Sequence, residues 1–277
     1  MISSILSNEY FFFVLLMVLT AFPVGFFAGF FGIGGGLITV PFLFFIFETL
    51  NLDRSYIMHL AVGTSFSIII PTSLVSVLTH KKNKFVDINI IKSYGLFVII
   101  GVLLGTIFAA LMQTKSLVLF FSAVVYFLGT YLLLNSNKVQ KAKKNFELLP
   151  RLFFGFVSGF VSAPMGIGGA VMNVPVLRYF GYPIKKAIGS AAAIGFIIAL
   201  FGAIGFLISG SFLKANLPLS IGFINIPAFL IFVPITTFMA RVGANSVNKI
   251  DKSKVQSLFG VFLYVVGTIF IYRYLSL

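Results

Sequence analysis

Apolar residues run along this chain in long blocks, separated by short polar stretches rich in lysine and arginine. The blocks lie at 10–31, 37–47, 57–79, 92–112 and 116–134. After a basic stretch at 138–151 they resume at 152–165, 170–180, 187–209, 219–240 and 255–275. Most approach or exceed the roughly 20 residues that carry a helix across the hydrocarbon core of a bilayer. None shows the alternating polarity over about ten residues that a transmembrane β-strand requires. A helix pairs its own backbone groups in lipid, so the pattern predicts an all-α polytopic membrane protein. Blocks 37–47 and 170–180 are too short to span comfortably, and each follows a glycine cluster, at 32–36 and 166–170. Such breaks predict discontinuous or re-entrant helices.

The blocks form one five-element pattern written twice. Gly25 and Gly29 precede Gly32-Ile33-Gly34-Gly35-Gly36, with Val40-Pro41 after; Gly155 and Gly159 precede Gly166-Ile167-Gly168-Gly169-Ala170, with Val174-Pro175 after. Ala61-Val62-Gly63-Thr64-Ser65 matches Ala187-Ile188-Gly189-Ser190-Ala191, and Tyr126 with Gly129-Thr130 matches Tyr264 with Gly267-Thr268. The chain therefore divides into a first transmembrane repeat at 1–137, a basic linker at 138–151 and a second repeat at 152–277.

Charge sets the expected topology. Four stretches, 80–92, 135–151, 178–186 and 241–254, hold 16 of the 20 basic residues; Arg54, Lys115, Lys214 and Arg273 are the others. Counting each glycine-broken pair as an out-and-back unit puts the two groups on opposite sides of the membrane. The positive-inside rule then makes the 16 cytoplasmic, including the linker, and leaves both termini outside. The halves become inverted-topology repeats, an architecture of secondary transporters that places substrate near the midplane.

Composition fits this picture: 59% of residues are hydrophobic and 9% charged, against roughly 25% charged in soluble domains. The net charge of +14 belongs to the loops and calls for no nucleic acid. Without cysteine the chain has no thiol chemistry or thiolate metal site. His59 and His80 have no second ligand at i+3 or i+4, so no metal is expected, and no catalytic constellation or cofactor motif appears.

Two readings of the GIGG runs stand. The glycines let helices pack closely, or they break the helix at mid-membrane depth. Where a half-helix restarts, unpaired N–H groups carry about half a positive charge and form an anion site from backbone alone. The candidate site is Gly34, Gly35 and Gly36 opposed to Gly168, Gly169 and Ala170, with Thr39, Ser65, Asn173 and Ser190 as side-chain donors. Their hydroxyls also have a local alternative, a bond back to the i−4 carbonyl. Glu9, Glu48, Asp53, Asp87, Glu147 and Asp251 all lie in or beside connections. A core without carboxylates suits a solute that brings negative charge.

The run Gly29 to Pro41, its second copy Gly159 to Pro175 and the element at 61–65 resemble the TauE/SafE sulfite-exporter-like family of membrane permeases. The resemblance covers about residues 20 to 270. It implies a carrier in the bacterial inner membrane for small sulfur-containing or organic anions. Ala170 in place of a third glycine, and Ala191 opposite Ser65, imply half-sites that are not chemically equivalent. The expected function is secondary transport of a small anion, sulfite or a small organosulfonate, by alternating access. The alternatives are an anion channel and a carrier of a non-sulfur anion such as a small carboxylate. The partners are the bilayer, the anionic substrate and, for uptake against the membrane potential, a coupling ion, Na+ or H+.

Overall fold

The computed structural model describes residues 9–32, 34–50, 52–135, 147–246 and 252–276. Ten helices fill these stretches. The first half holds α1 (Glu9–Phe31), α2 (Gly36–Thr49), α3 (Ile57–Lys82), α4 (Ile88–Leu111) and α5 (Thr114–Asn135). The second holds α6 (Leu148–Met165), α7 (Ala170–Tyr179), α8 (Ile184–Phe212), α9 (Ile226–Ser246) and α10 (Lys252–Ser276). Among the described residues eight of these are long and apolar enough to cross a membrane, whereas α2 and α7 have 14 and 10 residues. Large apolar side chains such as Leu103, Phe127, Phe153, Leu230 and Leu258 stand exposed on the outer faces, as lipid contact requires. The chain is a multi-pass, all-α membrane protein.

The helices pack in pairs that map onto one another when the halves are exchanged. The closest associations are α4 with α6 and α1 with α9; α3 packs on α9 as α4 packs on α8, and α2 on α3 as α7 on α8. Two pairs, α3 with α8 and α5 with α10, map onto themselves. In the last of these, the Tyr126 hydroxyl pairs with Thr268 Oγ1 at 2.7 Å and the Tyr264 hydroxyl with Thr130, while the two tyrosine rings meet edge to face.

Small residues make the tight pairs possible. A methyl on Gly25 would lie 2.5 Å from the Thr236 carbonyl oxygen, and one on Gly29 would overlap that of Ala240. The partner helix answers with Gly243 against Phe26. In the other pair Gly159 lies against the Val98 carbonyl and Gly105 against that of Phe160. These are small-xxx-small contacts between parallel helices. Counted back from each break, Gly25 stands level with Gly159, both seven residues before the first glycine, so the equivalent pairs sit one turn from the order in which the sequence shows them.

Contacts at the helix ends sort the loops into two groups. At one end Lys186 pairs with Asp87 at 3.7 Å, Lys185 lies over the Phe85 ring, and His80 Nε2 is 3.1 Å from the Gly29 carbonyl oxygen. At the other, Arg273 pairs with Glu48 at 3.2 Å, Lys115 lies over the Tyr274 ring, Thr114 donates to the Ser55 carbonyl, and His59 Nε2 is 3.1 Å from that of Ala109. Both histidines thus bind neighbouring backbone.

Some element bounds differ from the apolar blocks. Helix α6 starts four residues before the apolar block at 152, because Leu148 to Arg151 form its first turn, where Pro150 costs no hydrogen bond. The rest of the 138–151 stretch up to 146 lies outside the described residues, as does Ile33. The block at 219–240 opens with a hairpin rather than a helix: β1 (Ser220–Ile221) pairs antiparallel with β2 (Ile224–Asn225) across Gly222, whose φ is +55°. Helix α9 then runs on to Ser246.

Candidate functional site at the crossing of the two breaks

Both glycine clusters break their helices where the sequence places them, and the breaks meet. Helix α1 ends at Phe31 and α2 starts at Gly36; α6 ends at Met165 and α7 starts at Ala170. A methyl on Gly36 would overlap the Gly166 carbonyl oxygen and lie 2.8 Å from Ile167 Cα, and one on Gly34 would lie 3.5 Å from Gly168 Cα. Gly34, Gly35 and Gly36 are buried, as are Gly166, Gly168, Gly169 and Ala170.

The turns depend on glycine for conformation as well. Gly35 and Gly169 precede the two short helices with φ of +84° and +64°, in the left-handed region where a side chain is strained. Their carbonyls accept the first bonds of the restarted helices, Gly35 from the Ile38 and Thr39 N–H groups and Gly169 from those of Met172 and Asn173. Neither start has a side-chain cap, so the positive end of each short helix dipole points into the protein interior.

The candidate donors divide by what they already bind. Thr39 Oγ1 donates back to the Gly35 carbonyl at 3.1 Å. Ser65 Oγ donates to the Gly166 carbonyl at 2.8 Å, tying α3 to the other break. Ser190 Oγ accepts from the Asp87 N–H at 3.0 Å, and Thr64 Oγ1 accepts from the Asn225 N–H at 2.9 Å. Those two are equivalent: each fixes the residue that caps the following helix, Asp87 for α4 and Asn225 for α9. Ser190 therefore faces a loop, while its neighbour Ala191 takes the place that Ser65 has in the first half.

Asn173 is different. It is fully buried, its Oδ1 accepts from the Tyr94 hydroxyl at 2.8 Å, and its Nδ2 has no partner. A methyl on Gly169 would lie 3.1 Å from that Nδ2 and 3.0 Å from Ser162 Oγ, a second buried group without a partner. Ser158 is buried one turn before Ser162 on the same face. Sequence reading did not single out Ser158 or Ser162, and counted Tyr94, which is fully buried, among tyrosines at the membrane interface. Lining up the halves from their breaks would have shown the first two, since Val24 and Ala28 stand at the matching places.

No carboxylate, lysine or arginine is fully buried among the described residues; the buried polar groups are hydroxyls, amides and the two histidines. Outside the spans, Tyr182 sits beside the Asp87–Lys186 pair. Burial and the Asp87 charge push its phenol up from the ordinary value, with Arg151 opposing.

Other proteins are similar to the chain over most of its length. The chain is 32% identical over 255 residues to a protein of Haemophilus influenzae named "probable membrane transporter protein", covering 92% of this chain and 97% of that one. Similarly named proteins of Methanocaldococcus jannaschii (25% identical, 91% and 93% covered) and Bacillus subtilis (27%, 94% and 98%) align over nearly their whole lengths. No solved structure matches the chain. Residues 17–270 match the family described as sulfite exporter TauE/SafE, a family of membrane transporters, and the chain belongs to it.

Proposed function

We propose that the chain is a secondary transporter of a small anion, sulfite or a small organosulfonate, working by alternating access. The observation that carries this is the crossing itself. Two uncapped half-helix starts converge in a buried region that holds no carboxylate. Backbone N–H groups and dipole ends there favour negative charge, and no acidic side chain repels it. The family's description as sulfite exporters supports the choice of sulfur oxyanion. Residues 1–137 and 152–277 are the two repeats, inverted with respect to the membrane. The Lys186–Asp87 end faces the cytoplasm and both termini face out, in a bacterial inner membrane. With a potential of about 100 mV, negative inside, worth about 2.3 kcal/mol per charge, export of an anion needs no coupling ion, and uptake needs Na+ or H+.

The test is exchange in proteoliposomes with sulfite, thiosulfate, sulfoacetate, isethionate, taurine, lactate and sulfate. Saturable counterflow of a labelled sulfur oxyanion is expected. Flux without saturation or counterflow would make the protein a channel, exchange of lactate alone would make it a carboxylate carrier, and preference for neutral or cationic solutes would overturn the reading.

A further inference from the structure

The two half-sites share a backbone but not a set of side chains. At the start of α2 the turn faces Val24 and Ala28, and the Thr39 hydroxyl is engaged with the Gly35 carbonyl. Ser65, the other hydroxyl at the crossing, is engaged with the Gly166 carbonyl. At the start of α7, Ser162 Oγ and Asn173 Nδ2 converge on Gly169, both buried and both without a partner. A buried donor left unpaired is costly, and two on one helix start call for a common acceptor. The Tyr94 hydroxyl holds Asn173 Oδ1 and so turns the amide NH2 toward the turn.

We infer that the anion is held on one side only, at the start of α7, by Asn173 and Ser162, and that Tyr94 is the positioning residue for the amide. This rests on the anion-transport reading above and narrows it. The donors are uncharged, and one helix end supplies about half a charge, so the site offsets the lost hydration of a monoanion far better than that of a dianion. A sulfonate or hydrogen sulfite, with several acceptor oxygens and a single charge, fits this donor set. Ile198 Cδ1 closes over Gly169, so the anion enters when α8 moves off α7.

The experiment measures equilibrium binding of labelled isethionate and hydrogen sulfite to the full chain in nanodiscs. Elution volume and melting temperature serve as folding controls. Ser162→Ala and Asn173→Ala are expected to weaken binding about tenfold or more. Asn173→Asp keeps the shape and the acceptor for Tyr94 but replaces the donor with negative charge, and is expected to abolish binding in a folded protein. Tyr94→Phe should weaken binding less than Asn173→Ala. Ala28→Ser, which gives the first half the missing hydroxyl, should leave affinity within about twofold, and sulfate should not compete. Wild-type protein that binds neither probe would overturn the transport reading, and this inference with it. Wild-type binding with unchanged affinity in Asn173→Asp, a gain in Ala28→Ser, or full competition by sulfate would overturn this inference alone.

Discussion

At the crossing of the breaks, single atoms decide which substitutions inform. Ser65→Ala would leave the buried Gly166 carbonyl without its side-chain donor, and is expected to cost about 1–3 kcal/mol of stability, read by unfolding in detergent. Thr39→Val removes a hydroxyl that only bonds back along its own helix, and should cost about 1 kcal/mol or less. Bulk at Gly35 or Gly169 is a poorer probe than the sequence suggests. Both have positive φ, and a methyl would lie 2.8 Å from Val24 Cγ1 at Gly35 and press on Ile198 at Gly169. A leucine there disturbs folding as well as binding. Asn173 was legible because an amide in an apolar block needs a partner. Ser190 reads as a further donor, since the sequence does not say which way a serine on α8 faces. Ser158 and Ser162 were invisible for the converse reason: a helical serine ordinarily bonds to its own backbone, and only the fold shows that Ser162 does not.

Among the helices, close approach and capping explain most of the order. Among the described residues the apolar blocks revealed each helix, because burial in lipid demands apolar runs. They missed the hairpin at 220–225, which runs directly into the apolar stretch of α9, and they started α4 and α6 late because Asn89 and Lys92, and Pro150 and Arg151, interrupt the apolar run at the membrane edge. The parallel pairs α1–α9 and α4–α6 depend on backbone contact. Gly29→Ala and Gly159→Ala each place a methyl on a carbonyl oxygen of the partner helix. Each should therefore cost about 1–3 kcal/mol. Gly129→Ala on α5 meets the Tyr264 ring at 3.1 Å, a side chain that can yield, and should cost less. Melting of the three variants in one detergent ranks them; a Gly129 variant less stable than the other two would contradict this account.

For the molecule as a whole, the loop charges and the contacts at the helix ends agree on two faces. Exposed Lys84 follows α3 at the end where Lys186 meets Asp87, and exposed Lys214 follows α8 at the other. With no native cysteine to remove, Lys84→Cys and Lys214→Cys can be labelled singly in intact cells. An impermeant maleimide is expected to reach Cys at 214 from outside and Cys at 84 only after the membrane is opened. Labelling of both from one side would contradict the inverted arrangement.

The reciprocal Tyr126–Thr268 and Tyr264–Thr130 pair has an energetic consequence. It joins the halves through a contact that reads the same from either one. A distortion of the first half then has a matching distortion in the second, related to it through this contact. What separates them comes from the many positions where the halves differ, among them Ala28 against Ser162 and Ser65 against Ala191. Such differences set the resting bias between the two shapes, and on the one-sided site proposed above an anion beside Ser162 is expected to shift that bias, because it would bind one half and not its twin.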